Sequence, residues 1–286
     1  MNFVKMRKYW YLISLLVIIL GLISWGVKGL NKGIDFTGGS FIELRFEEKV
    51  AVGDVRKVLK DAGLPQDSRV QEGDGNVIMI RTKALSQKES SNLFQGLENK
   101  FGSFTLLRNE SVGPTVGKEL RNKAILSLVI AFALMIIYIT IRFELLSGFA
   151  AISALVHDIL VTVGLVSLFG LEVDAAFVAA LLTIVGYSIN DTIVIFDRIR
   201  ENMGKRKKNE SLDDLVHHSI MQTLARSINT VIAVVLVLVS MLIFGGVTLK
   251  GFITILLIGV LAGCYSSIFI ASPLWYDYRR LRGESV

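Results

Sequence analysis

Several ionisable side chains lie inside apolar stretches of this sequence, where they could handle protons. Asp158 and Asp191 each interrupt an apolar run, and Arg226 begins another. A carboxylate within a membrane is costly unless it is paired or hydrated, so such residues usually mark ion or proton pathways. A group whose access to water changes can be protonated from one side of the membrane and deprotonated toward the other. We therefore expect Asp191, with Arg226 as its basic counterpart, to bind and release protons.

Each of these residues also has a purely structural interpretation. Asp191 and Arg226 could form a static ion pair, because antiparallel neighbouring helices would bring them to similar depths. Asp158 could serve packing alone, through a hydrogen bond to the adjacent His157 or to a hydroxyl group. Asn190 could act only as a hydrogen-bond donor between helices. The residue types by themselves leave these alternatives open.

Helical spacing gives a first indication of where Asp191 points. Thr183, Tyr187, Asn190 and Asp191 recur at intervals that place them on one face of a helix. A stripe of polar and small residues is typical of a face that packs against other helices. The spacing predicts that Asp191 faces neighbouring helices or a water-filled cleft, and not lipid.

Six long apolar stretches indicate that these residues lie in a membrane. The chain has 286 residues, of which 52% are hydrophobic. About 20 apolar residues are needed to cross the hydrocarbon core. The six candidate stretches are 9–27, 124–141, 147–170, 175–196, 227–249 and 251–276. The first is longer than the core of a typical signal peptide and lacks an A-x-A cleavage site, so we expect it to be retained.

The distribution of basic residues predicts the orientation of the chain. With the N-terminus inside, the segments predicted to be cytoplasmic hold fourteen Lys and Arg residues; they are 1–8, 142–146, 197–226 and 277–286. The short outer loops, 170–175 and 245–250, hold only Lys250. Because Lys and Arg are enriched on the cytoplasmic side, we expect both termini in the cytoplasm. The net charge of +6 then faces membrane lipid and the cytoplasm, and we expect no nucleic-acid partner.

The polar segment between the first two stretches has the pattern of a small folded domain. Residues 41–46 alternate between apolar and charged side chains, as in a half-buried strand. Ser86 and Glu89 have the spacing of a capping box at the start of a helix. The predicted order is β-α-β-β-α-β, the ferredoxin-like arrangement. We divide the chain into 1–29, with the first span; 30–122, an extracytoplasmic α+β domain; and 123–286, with spans two to six and the cytoplasmic loop 197–226.

The loop between spans four and five contains an amphipathic pattern. Ser211 and Asp214 predict the start of a helix, whose apolar stripe consists of Leu212, Leu215, Val216, Ile220 and Leu224. Basic residues beside such a stripe favour a helix that lies on the inner membrane surface. The run Lys205–Lys208 alone is equally compatible with a solvated connector.

Other kinds of site have little support in the sequence. Cys264 is the single cysteine, so no disulfide can form within one chain. The glycine-rich stretch 33–40 lacks the spacing of a phosphate-binding loop and is better explained as a tight turn. We predict no catalytic residue, no metal site, no cofactor and no enzymatic activity.

Three motifs resemble those of the SecD/SecF family of bacterial protein export, which is itself similar to the resistance-nodulation-division (RND) transporters. They are GYSINDTIVIFDRIREN at 186–202, GIDFTGG at 33–39 and VGPTVGKELR at 112–121. The resemblance extends over essentially the whole chain. It implies an α-helical polytopic membrane protein with six transmembrane helices, half of an RND-type bundle, and one small ferredoxin-like extracytoplasmic domain.

The resemblance also implies a function. Members of the family are thought to couple the proton motive force to late steps of preprotein translocation across the bacterial plasma membrane. It assigns proton transport to Asp191 and Arg226, and we add Asn190 and Asp158 as weaker candidates. The expected partners are a SecD-like subunit, the SecYEG translocon, YajC and YidC, the preprotein and membrane lipid.

Three other functions are compatible with parts of the sequence. Half of another RND-type transporter, for lipid or drug, would need a large substrate pocket, which a short outer segment disfavours. An intramembrane aspartyl protease would need two carboxylates that share a proton. A passive scaffold would retain its activity when Asp191 is neutralised.

Overall fold

The computed structural model describes residues 2–65, 68–73, 75–206 and 210–283. The chain divides into two compact units: Met1–Asn31 with Ser127–Val286, and Lys32–Leu126. Lys207, Lys208 and Asn209 of the basic connector lie outside the described residues.

The first unit is built from long helices. They are α1 (Arg7–Lys28), α5 (Pro114–Arg142, which belongs to this unit from Ser127 onward), α6 (Leu145–Phe169), α7 (Ala175–Gly204), α8 (Leu212–Phe244) and α9 (Val247–Ser266), which continues through a π-helix (Ser267–Ala271) into α10 (Ser272–Leu281). Within the described residues, six helical segments are long and apolar enough to cross a membrane, the sixth running from Leu249 to Leu281. A helix satisfies its backbone hydrogen bonds internally, as hydrocarbon requires. The six predicted spans are confirmed.

Glycines allow two pairs of helices to approach closely. Gly21 of α1 lies against Gly164 of α6, and a Cβ added at Gly21 would be 2.6 Å from the Cα of Gly164. Beside this contact, Ser24 and Ser167 share a hydrogen bond of 3.2 Å. A Cβ at Gly263 of α9 would be 2.9 Å from the Cβ of Ser188 on α7. Small residues at such crossings are typical of helix packing in membranes.

The predicted cytoplasmic loop 197–226 is mostly helical. Helix α7 continues to Gly204, and α8 begins at Leu212 with Ser211 as its cap. The apolar stripe is buried in the protein core, with Leu212, Leu215, Val216 and Ile220 at most 1% exposed. The expectation that this stripe lies on the membrane surface is therefore wrong, because other helices of the chain already cover it.

The second unit contains two helices and a four-stranded sheet. Its elements are β2 (Gly39–Phe46), α3 (Val52–Asp61), β3 (Arg69–Gly73), β4 (Val77–Thr82), α4 (Gln87–Phe101) and β5 (Phe104–Val112), preceded by the single turn α2 (Ile34–Thr37). The strand order is β3-β4-β2-β5, and neighbouring strands are antiparallel. This is the predicted ferredoxin-like topology. Two further short strands, β1 (Asn31–Lys32) and β6 (Glu172–Val173), are not part of this sheet.

Local signals fixed the elements of this unit. Ser86 and Glu89 form the predicted capping box at the start of α4. The apolar residues of β2 alternate as expected, and Ile42 and Leu44 are fully buried beneath α3 and α4. Glu43, on the opposite face, is only 3% exposed, which the alternation did not predict. Burial raises the pKa of the Glu43 carboxyl, and Arg108 on β5 opposes that shift.

We expect Gly39→Ala to destabilise this unit. Gly39 has φ +125°, a conformation that alanine rarely adopts, and its added Cβ would be 2.5 Å from the carbonyl oxygen of Thr82 on β4. The expected loss is about 1–3 kcal/mol. Hydrogen exchange of the β2 and β4 amides would measure it. The matched control is Gly53→Ala, where a Cβ meets nothing within 4 Å; equal protection in the two variants would contradict the prediction.

Candidate functional site

Asp158 is at the centre of a buried polar cluster formed by α6, α7 and α9. Its side chain is completely buried. Oδ2 accepts hydrogen bonds from the hydroxyls of Ser188 at 2.5 Å and Ser266 at 2.8 Å. Oδ1 lies 2.9 Å from Nδ1 of His157. Hydroxyl groups from two other helices thus satisfy this carboxyl group, as buried polar groups require.

A second pair of hydroxyls lies beside the cluster. Thr192 and Ser267 are 2.8 Å apart, and Ser267 also donates to the backbone oxygen of Ser188 at 3.2 Å. Ser267 begins the π-helix, and Ser272 donates to its backbone oxygen at 3.1 Å. Single π-turns within longer helices are frequent at functional sites. Here the π-helix begins immediately after Ser266, which bonds Asp158.

Asp191 lies one turn beyond Ser188 on α7 and has a different environment. It is 8% exposed and faces Ser227 and Arg226 of α8. Ser227 faces the carboxyl group, but among the described residues neither its hydroxyl nor Oδ2 of Asp191 makes a hydrogen bond of good geometry. Both Asp191 and Ser188 line a narrow crevice between α7, α8 and α9, which has a volume of about 20 Å³. That is room for about one water molecule.

Arg226 is exposed at the surface of this single chain. No carboxylate of the described residues lies within 4.0 Å of its guanidinium nitrogens. In this conformation Asp191 and Arg226 are neighbours without a direct ion pair. The static ion pair considered from the sequence is therefore not formed here.

The predicted polar face of α7 is divided. Asn190, Tyr187 and Thr183 are exposed, whereas Asp191 is buried. The division follows from the angle of about 100° between successive helical residues, which turns Asp191 inward from Asn190. Thr183 donates to the backbone oxygen of Ala179 at 2.8 Å and so makes no contact with Asp191 through its hydroxyl.

The sequence missed Ser188 and Ser266. Both contact Asp158 from helices that are distant in sequence, and serine is common enough in spans that neither residue was distinctive. The spacing of Ser188 and Asp191, one turn apart on a helix, was the available signal. For Asp158 the sequence predicted a hydrogen bond to His157 or to a hydroxyl group; the structure shows both and identifies the hydroxyls as those of Ser188 and Ser266.

The two buried carboxyl groups have different environments. Asp158 is held by three partners, whereas Asp191 has an unpaired oxygen beside a water-sized space. A proteolytic pair would require the two carboxyls to share a proton, but Asp158 and Asp191 have no contact with each other. The structure thus places Asp158 in a fully bonded environment and Asp191 beside a water-sized space.

Comparisons with known proteins agree with this description. Two family descriptions match the chain: "Protein export membrane protein SecD/SecF, C-terminal" over residues 93–281, and "SecD/SecF GG Motif" over residues 23–50. The protein translocase subunit SecF of Sebaldella termitidis is 41% identical over 286 residues, covering 99% of this chain and 93% of that protein. SecF of Acidaminococcus fermentans is 42% identical, covering 98% of this chain and 97% of that protein.

Longer proteins contain a region similar to the whole chain. The protein translocase subunit SecDF of Bacillus subtilis is 41% identical, and the match covers 99% of this chain but 39% of SecDF. The crystal structure of a Thermus SecDF, described as a translocon-associated membrane protein, superposes with a TM-score of 0.90 at 35% identity. That match covers 98% of this chain and 39% of the SecDF chain. On both sequence and structure, the chain belongs to the SecD/SecF family of protein export membrane proteins.

Proposed function

We propose that this chain is a SecF-type subunit that acts with a SecD-like partner. Together they would couple the proton motive force to late steps of preprotein translocation across the bacterial plasma membrane. Asp191 and Arg226 would carry proton transport, with Asn190 and Asp158 in supporting roles. The observation that carries the proposal is a buried carboxyl group, Asp191, with an unpaired oxygen inside a membrane span and a basic neighbour.

The relatives support a SecD-like partner. This chain corresponds to 39% of the B. subtilis protein named SecDF, so a separate subunit would supply the remaining part. The Thermus SecDF is described as translocon-associated. By this relationship the SecYEG translocon is the wider partner, with YajC and YidC, and the preprotein is the substrate.

The surface of the membrane helices also requires a covering partner. Asn190, Tyr187, Arg226 and Thr230 are exposed on α7 and α8. Polar and charged side chains at a lipid-facing position are costly. RND-type transporters are built from pseudo-symmetric halves. A second six-helix half packed against α7 and α8 would remove these side chains from lipid.

Protonation of Asp191 would provide the coupling step. An ionised Asp191 attracts Arg226, and protonation removes that attraction. Such a local change of charge can shift the balance between two arrangements of helices. Each proton that crosses the membrane supplies about 2.3 kcal/mol per 100 mV of potential. The gradient would therefore drive a repeated change in the packing of α7 and α8.

The proposed topology assigns each part of the chain to one side of the membrane. In the proposed orientation both termini and residues 197–226 lie in the cytoplasm, and residues 30–122 form the extracytoplasmic domain. That domain would move or brace in response to the membrane helices, on the side where the preprotein emerges.

Reconstitution tests the proposed function. Vesicles would contain the translocon and the SecD-like partner, with or without this chain, and a preprotein would be arrested part-way across. We expect a proton gradient to accelerate completion only when this chain is present. A sodium gradient of equal size serves as the comparison. Completion at the same rate with and without a proton gradient would rule the proposal out.

A further inference from the structure

Ser188 is in a position to connect the two buried carboxyl groups. Its hydroxyl is 2.5 Å from Oδ2 of Asp158, within the range of strong hydrogen bonds to a carboxylate. Ser188 is also one of the residues that line the crevice beside Asp191. Ser188 is therefore the residue of α7 that contacts Asp158 and borders the space beside Asp191.

Close packing fixes the orientation of Ser188. Gly263 leaves so little room that a Cβ at this position would be 2.9 Å from the Cβ of Ser188. Ser188 is 4% exposed, and its backbone oxygen accepts from Thr192 at 3.1 Å and from Ser267 at 3.2 Å. The serine hydroxyl is thus held toward Asp158 by the helix contact itself.

Asp158 can act as a proton acceptor. It is completely buried, and both hydroxyl partners donate to the same oxygen, Oδ2. No lysine or arginine of the described residues pairs with it. The ionisable side chain in contact with it is His157, whose Nε2 is buried without a hydrogen-bond partner among the described residues. Because a hydroxyl group can both donate and accept, Ser188 and Ser266 can each reverse their hydrogen bond to Oδ2 when that oxygen carries a proton.

We propose that Ser188 relays protons between Asp191 and Asp158, which makes Asp158 a second proton-binding group. The inference rests on the proposed function. In the forward step, the Asp191 carboxyl gives its proton to a water molecule in the crevice. That water protonates the Ser188 hydroxyl while the serine proton passes to Oδ2 of Asp158. Asp191 ends as a carboxylate and Asp158 as a carboxylic acid, and Ser188 and the water are unchanged.

The other titratable groups around this path are few among the described residues. His157 contacts Asp158 directly, and the ring of Tyr265 on α9 stacks on the His157 ring, with the two ring centroids 6.1 Å apart. Tyr187 of α7 and Cys264 of α9 border the crevice, and Arg226 of α8 faces Asp191. None of these groups lies between Ser188 and Asp158.

Time-resolved infrared spectroscopy tests the relay without relying on export activity. The full chain would be reconstituted with its SecD-like partner, and protons would be released from a photolabile acid. The carboxyl band of Asp158 would be assigned with Asp158→Asn. We expect Ser188→Ala to slow protonation of Asp158 at least about tenfold and to leave protonation of Asp191 unchanged. Asp191→Asn should slow the protonation of Asp158 to a similar extent.

Ser267→Ala is the matched control. Ser267 is buried like Ser188 and forms hydrogen bonds with α7, but it makes no hydrogen bond to Asp158. The rate at which Asp158 is protonated should therefore equal that of the parent protein. An unchanged Asp158 rate in Ser188→Ala, or an Asp158 that never gains a proton, would overturn the relay. If Asp191→Asn abolishes gradient stimulation while Ser188→Ala leaves the Asp158 rate intact, the relay fails and the proposed function stands.

Discussion

Asp191→Asn is expected to abolish the stimulation of preprotein translocation by a proton gradient. Asparagine has nearly the shape of aspartate but cannot bind and release a proton, and it carries no charge that attracts Arg226. Asp191 is buried, and its Oδ2 has no hydrogen-bond partner among the described residues. The substitution should therefore leave the helices assembled while it removes the coupling. Completion of translocation in vesicles, with and without a gradient, measures the effect.

Glu201→Gln is the matched control for this variant. Glu201 lies on the same helix but is exposed, where it pairs with Arg198 and Lys205. Neutralising an exposed side chain in surface ion pairs has little effect, so gradient stimulation should persist. If Asp191→Asn is stimulated as strongly as the parent, the chain is a passive scaffold for its partner. Co-purification of the partner with both variants would show that assembly is intact.

Gly21→Ala is expected to disrupt the packing of the first span. The added Cβ would lie 2.6 Å from the Cα of Gly164, and a backbone atom in a neighbouring helix cannot rotate away as a side chain can. The helices must separate, which would also lengthen the contact between Ser24 and Ser167. Overpacking of this kind costs about 1–3 kcal/mol. Thermal unfolding of the purified protein in detergent should show a lower midpoint.

The control for this prediction lies in the same helix. A Cβ at Gly26 meets nothing within 4 Å, and alanine favours a helix by about 1 kcal/mol over glycine. Gly26→Ala should therefore unfold at the same temperature as the parent or slightly higher. If the two alanine variants unfold together, the close contact between α1 and α6 does not support the fold as we describe it.

The two carboxyl groups illustrate how environment separates similar residues. Asp158 receives two serine hydroxyls and contacts His157, whereas Asp191 borders a space large enough for about one water molecule. A carboxyl group beside water can exchange a proton with it directly, whereas one enclosed by hydroxyl groups can exchange a proton only through them. In the proposed mechanism Asp191 meets the proton first, and Asp158 receives it through Ser188.

The sequence alone was sufficient for the architecture. A span needs about 20 predominantly apolar residues, so long apolar stretches identified all six spans, including the two that contain Asp158 and Asp191. In the smaller unit, alternation and local capping such as Ser86 with Glu89 depend on residues close together in the chain. These signals predicted the β-α-β-β-α-β order, and three motifs indicated the family. Asp191 and Asp158 also stood out, because charge is rare within spans.

Only the tertiary structure decided what those residues touch. Asp158 meets Ser266 across 108 residues and Ser188 across 30, and such contacts depend on how each helix is rotated and how closely glycines let it approach its neighbours. Periodicity could not show that Asn190 is exposed while Asp191, at the same crevice, is buried, nor that the stripe beginning at Leu212 is covered by protein. A helical pattern defines a face, but the packing of distant segments determines what that face meets.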